Sequence, residues 1–261
     1  MALSKEKIKL LDRLLKPRFR PREQQFVVEG MRGCREFLDG PLRPEVRFAI
    51  VSPGLARTEA GRQLQDRLVG SPVQVEEVSD QDMGRISRTE RPQGILMVVR
   101  EPSNPLDSLD ETKKKRVLLL DGIQDPGNVG TLIRAARAFG LQAVLALDGT
   151  VDPFNAKVVR ASAGALAHVP VCRIPWTDAR AWLDGRRIPL IVADAGGKDV
   201  RAIEGPPEWA LLIGNEGAGP RPEVLEAAER MVGIPMEGGA ESLNAGMAGA
   251  ILLFAFALPT G

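Results

Sequence analysis

Three glycine-rich segments in the C-terminal half gather the side chains that could position a reacting group. The first, Asp121-Gly-Ile-Gln-Asp-Pro-Gly-Asn-Val-Gly-Thr-Leu-Ile-Arg, leaves an apolar strand, turns at proline and glycine and enters a helical pattern, with Asn128 placed to cap that helix. Arg134 follows nearly two helical turns along, so its side chain can lean back toward the loop and grip a phosphate there. It also reads as an ordinary surface arginine. The second, Leu211-Leu-Ile-Gly-Asn-Glu-Gly-Ala-Gly-Pro, presents Asn215 and Glu216 at a strand end among glycines that permit close backbone approach. The third, Gly233-Ile-Pro-Met-Glu-Gly-Gly-Ala-Glu-Ser-Leu-Asn-Ala-Gly-Met-Ala-Gly-Ala, sets Ser242 and Asn244 at the mouth of a helix of small residues. Small side chains there suit tight packing or a ligand lying close.

Other chemistries lack their residues. The 261-residue chain has one histidine, His168, which any Ser-His-Asp or Cys-His arrangement has to use; its setting in Ala-Leu-Ala-His-Val-Pro reads as a packing or capping position. Cys34 and Cys172 fall in different halves and with that histidine make no zinc framework, so no metal is expected. Neither Gly-x-Gly-x-x-Gly nor a Gly-Lys-Ser/Thr loop occurs, which removes the usual support for a dinucleotide or nucleoside-triphosphate site. With 44% hydrophobic and 26% charged residues, the composition is that of a soluble globular protein. The longest apolar candidate, Ala245 to Leu258, holds two glycines and is too short to span hydrocarbon, so no membrane partner is expected. The opening Met1-Ala-Leu-Ser-Lys-Glu-Lys has no apolar signal core, and a cytoplasmic address is expected.

The elements that must hold these segments follow from apolar periodicity. Strands are expected at Val117–Leu120, Ala143–Leu147, Val169–Ile174, Leu190–Ala193, Ala210–Ile213 and Val232–Ile234. Helices at Val129–Phe139, Lys157–Leu166, Ala179–Leu183, Pro222–Glu229 and Leu243–Leu258 fill most of the gaps. That order predicts a largely parallel sheet covered on both faces, with ligands collecting at the carboxyl ends of its strands. Residues 1–100 read as a smaller α/β domain, with strands at Gln25–Glu29, Val46–Val51, Val73–Glu76 and Ile95–Val99 and helices at Met31–Leu38 and Thr58–Leu68. Residues 101–115, with two prolines and a Lys-Lys-Lys run, read as a linker, and 116–261 as the second domain.

The net charge of +1 hides an asymmetry. Residues 1–100 hold 19 Lys and Arg against 14 Asp and Glu, and residues 101–261 hold 16 against 20. Within the first 22 residues, Lys5, Lys7, Lys9, Arg13, Lys16, Arg18, Arg20 and Arg22 face only Glu6 and Asp12. Such an arm gains affinity for a nucleic-acid backbone by releasing its counterions. Leu3, Ile8, Leu11, Leu14 and Leu15 recur at near-helical spacing, so the segment also reads as a solvated amphipathic helix.

Together the three glycine-rich segments resemble the motifs of the SpoU, or TrmH-like, RNA ribose 2′-O-methyltransferases of the SPOUT superfamily. Asn-Val-Gly-Thr-Leu-Ile-Arg followed by Ala-Ala-Arg-Ala-Phe-Gly is similar to motif one, Ile-Gly-Asn-Glu-Gly-Ala-Gly to motif two, and Ile-Pro-Met with Ser-Leu-Asn to motif three, in the family's order across residues 117–258. Arg160-Ala-Ser-Ala-Gly-Ala also resembles the family, and Phe26-Val-Val-Glu-Gly-Met-Arg resembles its substrate-binding domain.

The resemblance implies an α/β fold: a C-terminal SPOUT domain with a deep trefoil knot and a mostly parallel sheet, preceded by a small ribosomal-protein-like α/β domain. It implies S-adenosylmethionine held bent in the knot by Ala193, Asp194, Ile213, Gly214, Ile234, Met236 and Leu243, the apolar side chains enclosing the adenine and the backbone reading its edge. A homodimer through the C-terminal domain is implied, as are RNA contacts by Lys7, Arg18, Arg20, Arg22, Arg32 and Arg134. Arg134 matches the family's proposed catalytic arginine. Because a free guanidinium has a pKa above about 12, it reads better as a phosphate anchor and electrostatic partner of the developing alkoxide than as a base. Asn128, Glu216, Ser242 and Asn244 match the other polar positions, Glu216 orienting Arg134 or a neighbour and the others holding loops and the target nucleotide. The added basic domain favours 23S ribosomal RNA as substrate over transfer RNA. A non-catalytic RNA-binding or ribosome-assembly protein is the competing reading. A small-molecule enzyme using a nucleotide cofactor is a third, opposed by the missing glycine fingerprint and the basic arm.

Overall fold

The computed structural model describes residues 3–16, 18–42, 45–102, 106, 109, 113–203, 205–237 and 242–257. The chain divides into two compact units: Met1–Ser103 with Phe154–His168, and Asn104–Pro153 with Val169–Gly261. In chain order the first elements are α1 (Lys5–Leu14), α2 (Arg20–Glu23), β1 (Gln25–Glu29), α3 (Met31–Asp39), β2 (Val46–Val51), α4 (Glu59–Val69), β3 (Gln74–Glu77), α5 (Asp80–Ile86) and β4 (Ile95–Arg100). There follow β5 (Arg116–Asp121), α6 (Pro126–Ala138), β6 (Ala143–Ala146), α7 (Ala156–Ala161), β7 (Val171–Arg173), α8 (Trp176–Arg186), β8 (Leu190–Asp199), β9 (Trp209–Gly214), α9 (Pro222–Glu226), β10 (Arg230–Gly233) and α10 (Ala245–Ala257).

In the first unit the sheet order is β1-β4-β2-β3, with β4 antiparallel to β1 and β2 and with β3 parallel to β2. Side chains alternate across a strand. Val27, Phe48, Ile50, Leu96 and Val98 therefore share one face, where Leu11 and Leu14 of α1 and Met83 of α5 cover them. On the other face Phe26 meets Phe37 of α3 with ring centroids 5.7 Å apart, and Phe154 at 5.0 Å. The basic arm is thus an amphipathic helix packed on a sheet. Ser4 caps it, Lys7 pairs with Glu76 and lies 4.8 Å over the Phe48 ring, and Arg13 pairs with Glu23 at 2.9 Å.

The segment Phe154–His168 belongs to the first compact unit, although it lies beyond the expected boundary at residue 116. It follows β6 of the second unit yet packs with the first. His168 Nε2 lies 2.8 Å from Glu36 Oε2, so the lone histidine is a packing residue. The helix expected over 157–166 is broken: α7 ends at Ala161, and Ala163 and Gly164 adopt φ of +50° and +89°. A side chain at Gly164 would meet Glu36 Cγ at 2.5 Å, so glycine is required there. The expected linker also does more than connect, since Leu106 and buried Leu109 pack on the core of the second unit. Its remaining residues from 103 to 112 lie outside the described ones.

The second unit is a six-stranded parallel sheet in the order β10-β8-β9-β5-β6-β7. Its central strands are buried along their length, as Val117–Leu120 and Ala210–Ile213 show, which is why they read as unbroken apolar runs. The register between β8 and β10 jumps: Met231 lies opposite Val192, but Val232 lies opposite Lys198. Residues 193–197 are therefore looped out of the ladder. Gly197 makes this crossing feasible, because a Cβ there would sit 2.5 Å from the Val232 carbonyl carbon. Among the described residues no helix is long and apolar enough to cross a membrane.

Candidate active site

The loops leaving β8, β9 and β10 and the entry to α10 enclose a cavity of about 270 Å³ at the carboxyl ends of the strands. The looped-out turn of β8 contributes Ala193 and Asp194, the end of β9 contributes Ile213 and Gly214, the stretch after β10 contributes Ile234 and Met236, and Leu243 closes it beside α10. Glu216 and Ser242 lie on the same wall. Apolar side chains with a few polar groups among them are the usual composition of a small-molecule site. Gly214 cannot be replaced without moving the wall, since a Cβ would lie 2.3 Å from the Pro220 nitrogen. Four residues of the third segment, 238–241, lie outside the described residues.

The polar groups form a lattice between two loops. Asp125, not Asn128, caps α6: its carboxylate accepts the Asn128 N–H at 2.9 Å, with Pro126 in the first turn. Proline suits that position because its missing N–H has no helical partner to lose. Asn128 is thereby carried into the helix and buried, and its Nδ2 donates to Glu216 Oε1 at 2.9 Å. Backbone N–H groups of Gln124 and Asp125 donate to the same carboxylate at 3.2 and 3.3 Å. Burial raises the Glu216 pKa, but the Asn128 amide and these N–H groups outweigh it and hold the carboxyl below its ordinary value. Asn215 adds a second tie, donating from Nδ2 to the Gly122 carbonyl at 2.8 Å while its Oδ1 accepts the Gly217 and Ala218 N–H groups.

Asn244 caps α10, accepting the Met247 N–H at 3.2 Å. The small residues behind it serve packing: a Cβ on Gly246 would lie 3.2 Å from both Asn128 Oδ1 and Asn244 Oδ1, and one on Gly249 would meet Leu132 at 2.2 Å. Helices α6 and α10 are thus drawn together under the cavity. Arg134 is not part of this lattice. It stands exposed on α6 with no ion pair or hydrogen bond among the described residues, and Glu216 holds Asn128 rather than Arg134.

Of the cations expected to meet RNA, Arg18, Arg22 and Arg32 are exposed. Lys7 is half-buried and paired. Arg20 is a correction, because its side chain is 2% exposed, paired with Glu101 and set 5.8 Å over the Phe154 ring, so it is an interior residue of the first unit. Sequence reasoning missed the pair between Arg221 and Asp121, whose side chain is fully buried at the end of β5. Asp121 accepts the Arg221 backbone N–H at 2.9 Å and its Nε at 2.6 Å. The signal was a carboxylate ending an apolar strand, which needs a cation if it is buried. Neither thiol is activated: burial pushes Cys172 up to about 12 and Cys34 further.

Comparison with known proteins finds relatives by sequence and by fold. The sequence profile of the MRM3-like substrate binding domain matches residues 5–97. The 23S rRNA (guanosine(2553)-2'-O)-methyltransferase RlmP of Bacillus subtilis is 34% identical over 95% of this chain and 95% of its own. The SpoU methyltransferase AviRb from Streptomyces viridochromogenes, solved in complex with the cofactor AdoMet, superposes with a TM-score of 0.84 at 26% identity, covering 97% of each chain. An AdoMet-bound rRNA methyltransferase from Sinorhizobium meliloti gives 0.82 at 27% identity, covering 98% of this chain and 95% of that one. The profile of the SpoU rRNA Methylase family spans residues 115–254, taking in the cavity, the lattice, α6 and most of α10, and the chain belongs to that family.

Proposed function

We propose that the protein transfers the methyl group of S-adenosylmethionine to a ribose 2′ oxygen of 23S ribosomal RNA, working in the cytoplasm as a homodimer whose C-terminal passage is threaded as a deep trefoil knot. One observation carries the reading: seven residues scattered from Ala193 to Leu243 line a single cavity whose wall also bears Glu216 and Ser242. The relatives named for 23S rRNA 2′-O-methylation, and the AdoMet-bound neighbours, support it.

The chain's residues fit such a donor. Ile213, Ile234, Met236 and Leu243 supply apolar walls for an adenine, with Gly214 and Gly233 in the same lining. When bound, the cofactor supplies an already activated methyl electrophile, so what remains is to bring the hydroxyl into line and accommodate its proton. Arg134, unpaired and always charged, anchors a phosphate beside the target ribose and stabilises the alkoxide as it develops. Asn128 and Glu216 keep the loop after β5 fixed against the loop after β9, and Ser242 and Asn244 hold the target nucleotide at the cavity mouth.

Three supports bear on the finer parts. The β8–β10 register jump and the return of α10 onto α6 accord with a threaded passage. Met247, Ile251 and Phe254, exposed along one stripe of α10, give the apolar surface for a second copy. The excess of cations in residues 1–100 suits an RNA backbone. The test is labelled methyl transfer to unmodified 23S rRNA and to transfer RNA, with digestion to nucleosides. Label on a ribose of the 23S transcript is expected. Preference for transfer RNA overturns the substrate assignment, and binding without transfer overturns the activity.

A further inference from the structure

A second cavity, of about 310 Å³, lies wholly within the first unit. Its rim carries three arginines from remote parts of the chain: Arg32 on α3, Arg91 before β4 and Arg160 on α7. All three are exposed, and none makes an ion pair or side-chain hydrogen bond among the described residues. Like charges around one hollow repel one another unless an anion enters it. The lining also holds one carboxylate, Glu29, whose single negative charge offsets only one of the three guanidiniums. It is occupied by the Ser87 hydroxyl, the Thr89 hydroxyl at 2.7 Å and the Arg88 backbone N–H at 3.1 Å.

Between the arginines the surface is apolar, with Val28, Phe37 and Val159 buried beneath it. Gln93 accepts the Met31 N–H at 2.8 Å through its oxygen, which leaves its NH₂ group to donate. Guanidiniums match phosphates in a planar fork, and an apolar floor with one amide at its edge matches an unstacked base. Arg160 reaches this place because Phe154–His168 packs on the first unit, and that segment brings Lys157 and Arg160 but no carboxylate. Its wall includes Ala163 at φ +50°, a left-handed conformation costly for a residue with a side chain and kept here beside the hollow.

We infer that this cavity is a second RNA subsite, which takes one unstacked nucleotide of the substrate together with its flanking phosphates, away from the methyl-transfer cavity's own lining residues. The inference rests on the RNA methyltransferase reading for its substrate class. It is tested on the full-length protein with an unmodified 23S rRNA transcript, by filter binding without methyl donor and by methyl-transfer kinetics. Arg91→Ala and Arg160→Ala are each expected to weaken RNA binding and raise KM for RNA about tenfold, and to lower the slope of log K against log salt by about 0.7. Saturated kcat and S-adenosylhomocysteine affinity should hold, which also reports an intact fold. Arg62→Ala, whose guanidinium pairs with Glu59 in the same unit, is the control and should change neither quantity. On a fully duplex RNA of equal length the variants should match the wild type. Variants indistinguishable from Arg62→Ala on the transcript overturn the subsite, as does an equal loss on duplex. Wild-type protein that binds RNA in an Arg91-dependent way but transfers no methyl overturns the methyltransferase reading and leaves the subsite standing.

Discussion

Glu216 accepts from Asn128 and from two backbone N–H groups of the loop after β5, so its charge joins loops 88 residues apart in sequence. A carboxyl whose native pKa is depressed contributes stability that is fully present above the unfolded value of about 4.3 and lost as pH falls through the lower native value. The difference in thermal midpoint between wild type and Glu216→Gln is therefore expected to be constant above about pH 5 and to shrink below about pH 4. A difference unchanged through that acid range would contradict the role. Arg134 has no partner to lose among the described residues, and the proposed reaction gives it a part in catalysis. Arg134→Ala should lower kcat on the order of a hundredfold or more while leaving S-adenosylhomocysteine affinity intact, read by single-turnover methyl transfer and calorimetry. Normal turnover would remove it from the reaction. At this scale the sequence names Asn128, Glu216, Ser242 and Asn244 but leaves the partner of Glu216 open between Arg134 and a neighbour, because a contact between distant loops leaves no trace in local spacing; the structure pairs it with Asn128. The cap read at Asn128 is instead Asp125, which directly precedes the proline that opens the helix.

Two element-to-element ties hold the cavity open. Helix α10 reaches α6 through Gly246 and Gly249, and the loop after β9 hangs from β5 through Arg221 and Asp121. Asp121 is fully buried, so removing its cation leaves an uncompensated charge, at a cost of about 3–5 kcal/mol. Arg221→Met should accordingly lower the thermal midpoint on the order of 10 °C and weaken S-adenosylhomocysteine binding, since Gly214 and Pro220 lie on the tethered loop. A midpoint within a degree or two of wild type would show that the pair contributes no net stability. Central strands β5 and β9 were legible because a strand covered on both faces is apolar throughout. Strand β8 was read as ending at Ala193, whereas it runs to Asp199, because Asp194-Ala-Gly-Gly-Lys-Asp carries no apolar pattern and owes its place to the crossing with β10. Helix α7 was overextended because a left-handed pair at Ala163 and Gly164 is a tertiary demand.

For the molecule as a whole, the two family matches align with the basic and acidic halves that composition had separated. Residues 154–168 cluster with the first unit while their family match runs with the second, and alternating strands and helices do not say which sheet a helix covers. The apolar character of α10 was plain in sequence, but its exposed stripe was not. Met247, Ile251 and Phe254 recur at i, i+4 and i+7 and remain 57%, 40% and 55% exposed, with Phe254 set against Phe139 at 6.0 Å. Sedimentation is expected to give twice the 28.2 kDa chain mass, and Phe254→Asp to give the single chain. A wild-type monomer at micromolar concentration would refute the dimer. The claim on which the rest depends is that the hollow at the strand ends holds the methyl donor. Calorimetric titration with S-adenosylhomocysteine tests it most directly. One molecule is expected to bind per chain, and Gly214→Ala, whose Cβ would collide with Pro220, to lose at least tenfold in affinity. Absence of binding to the wild type, or equal affinity in the variant, would contradict the account.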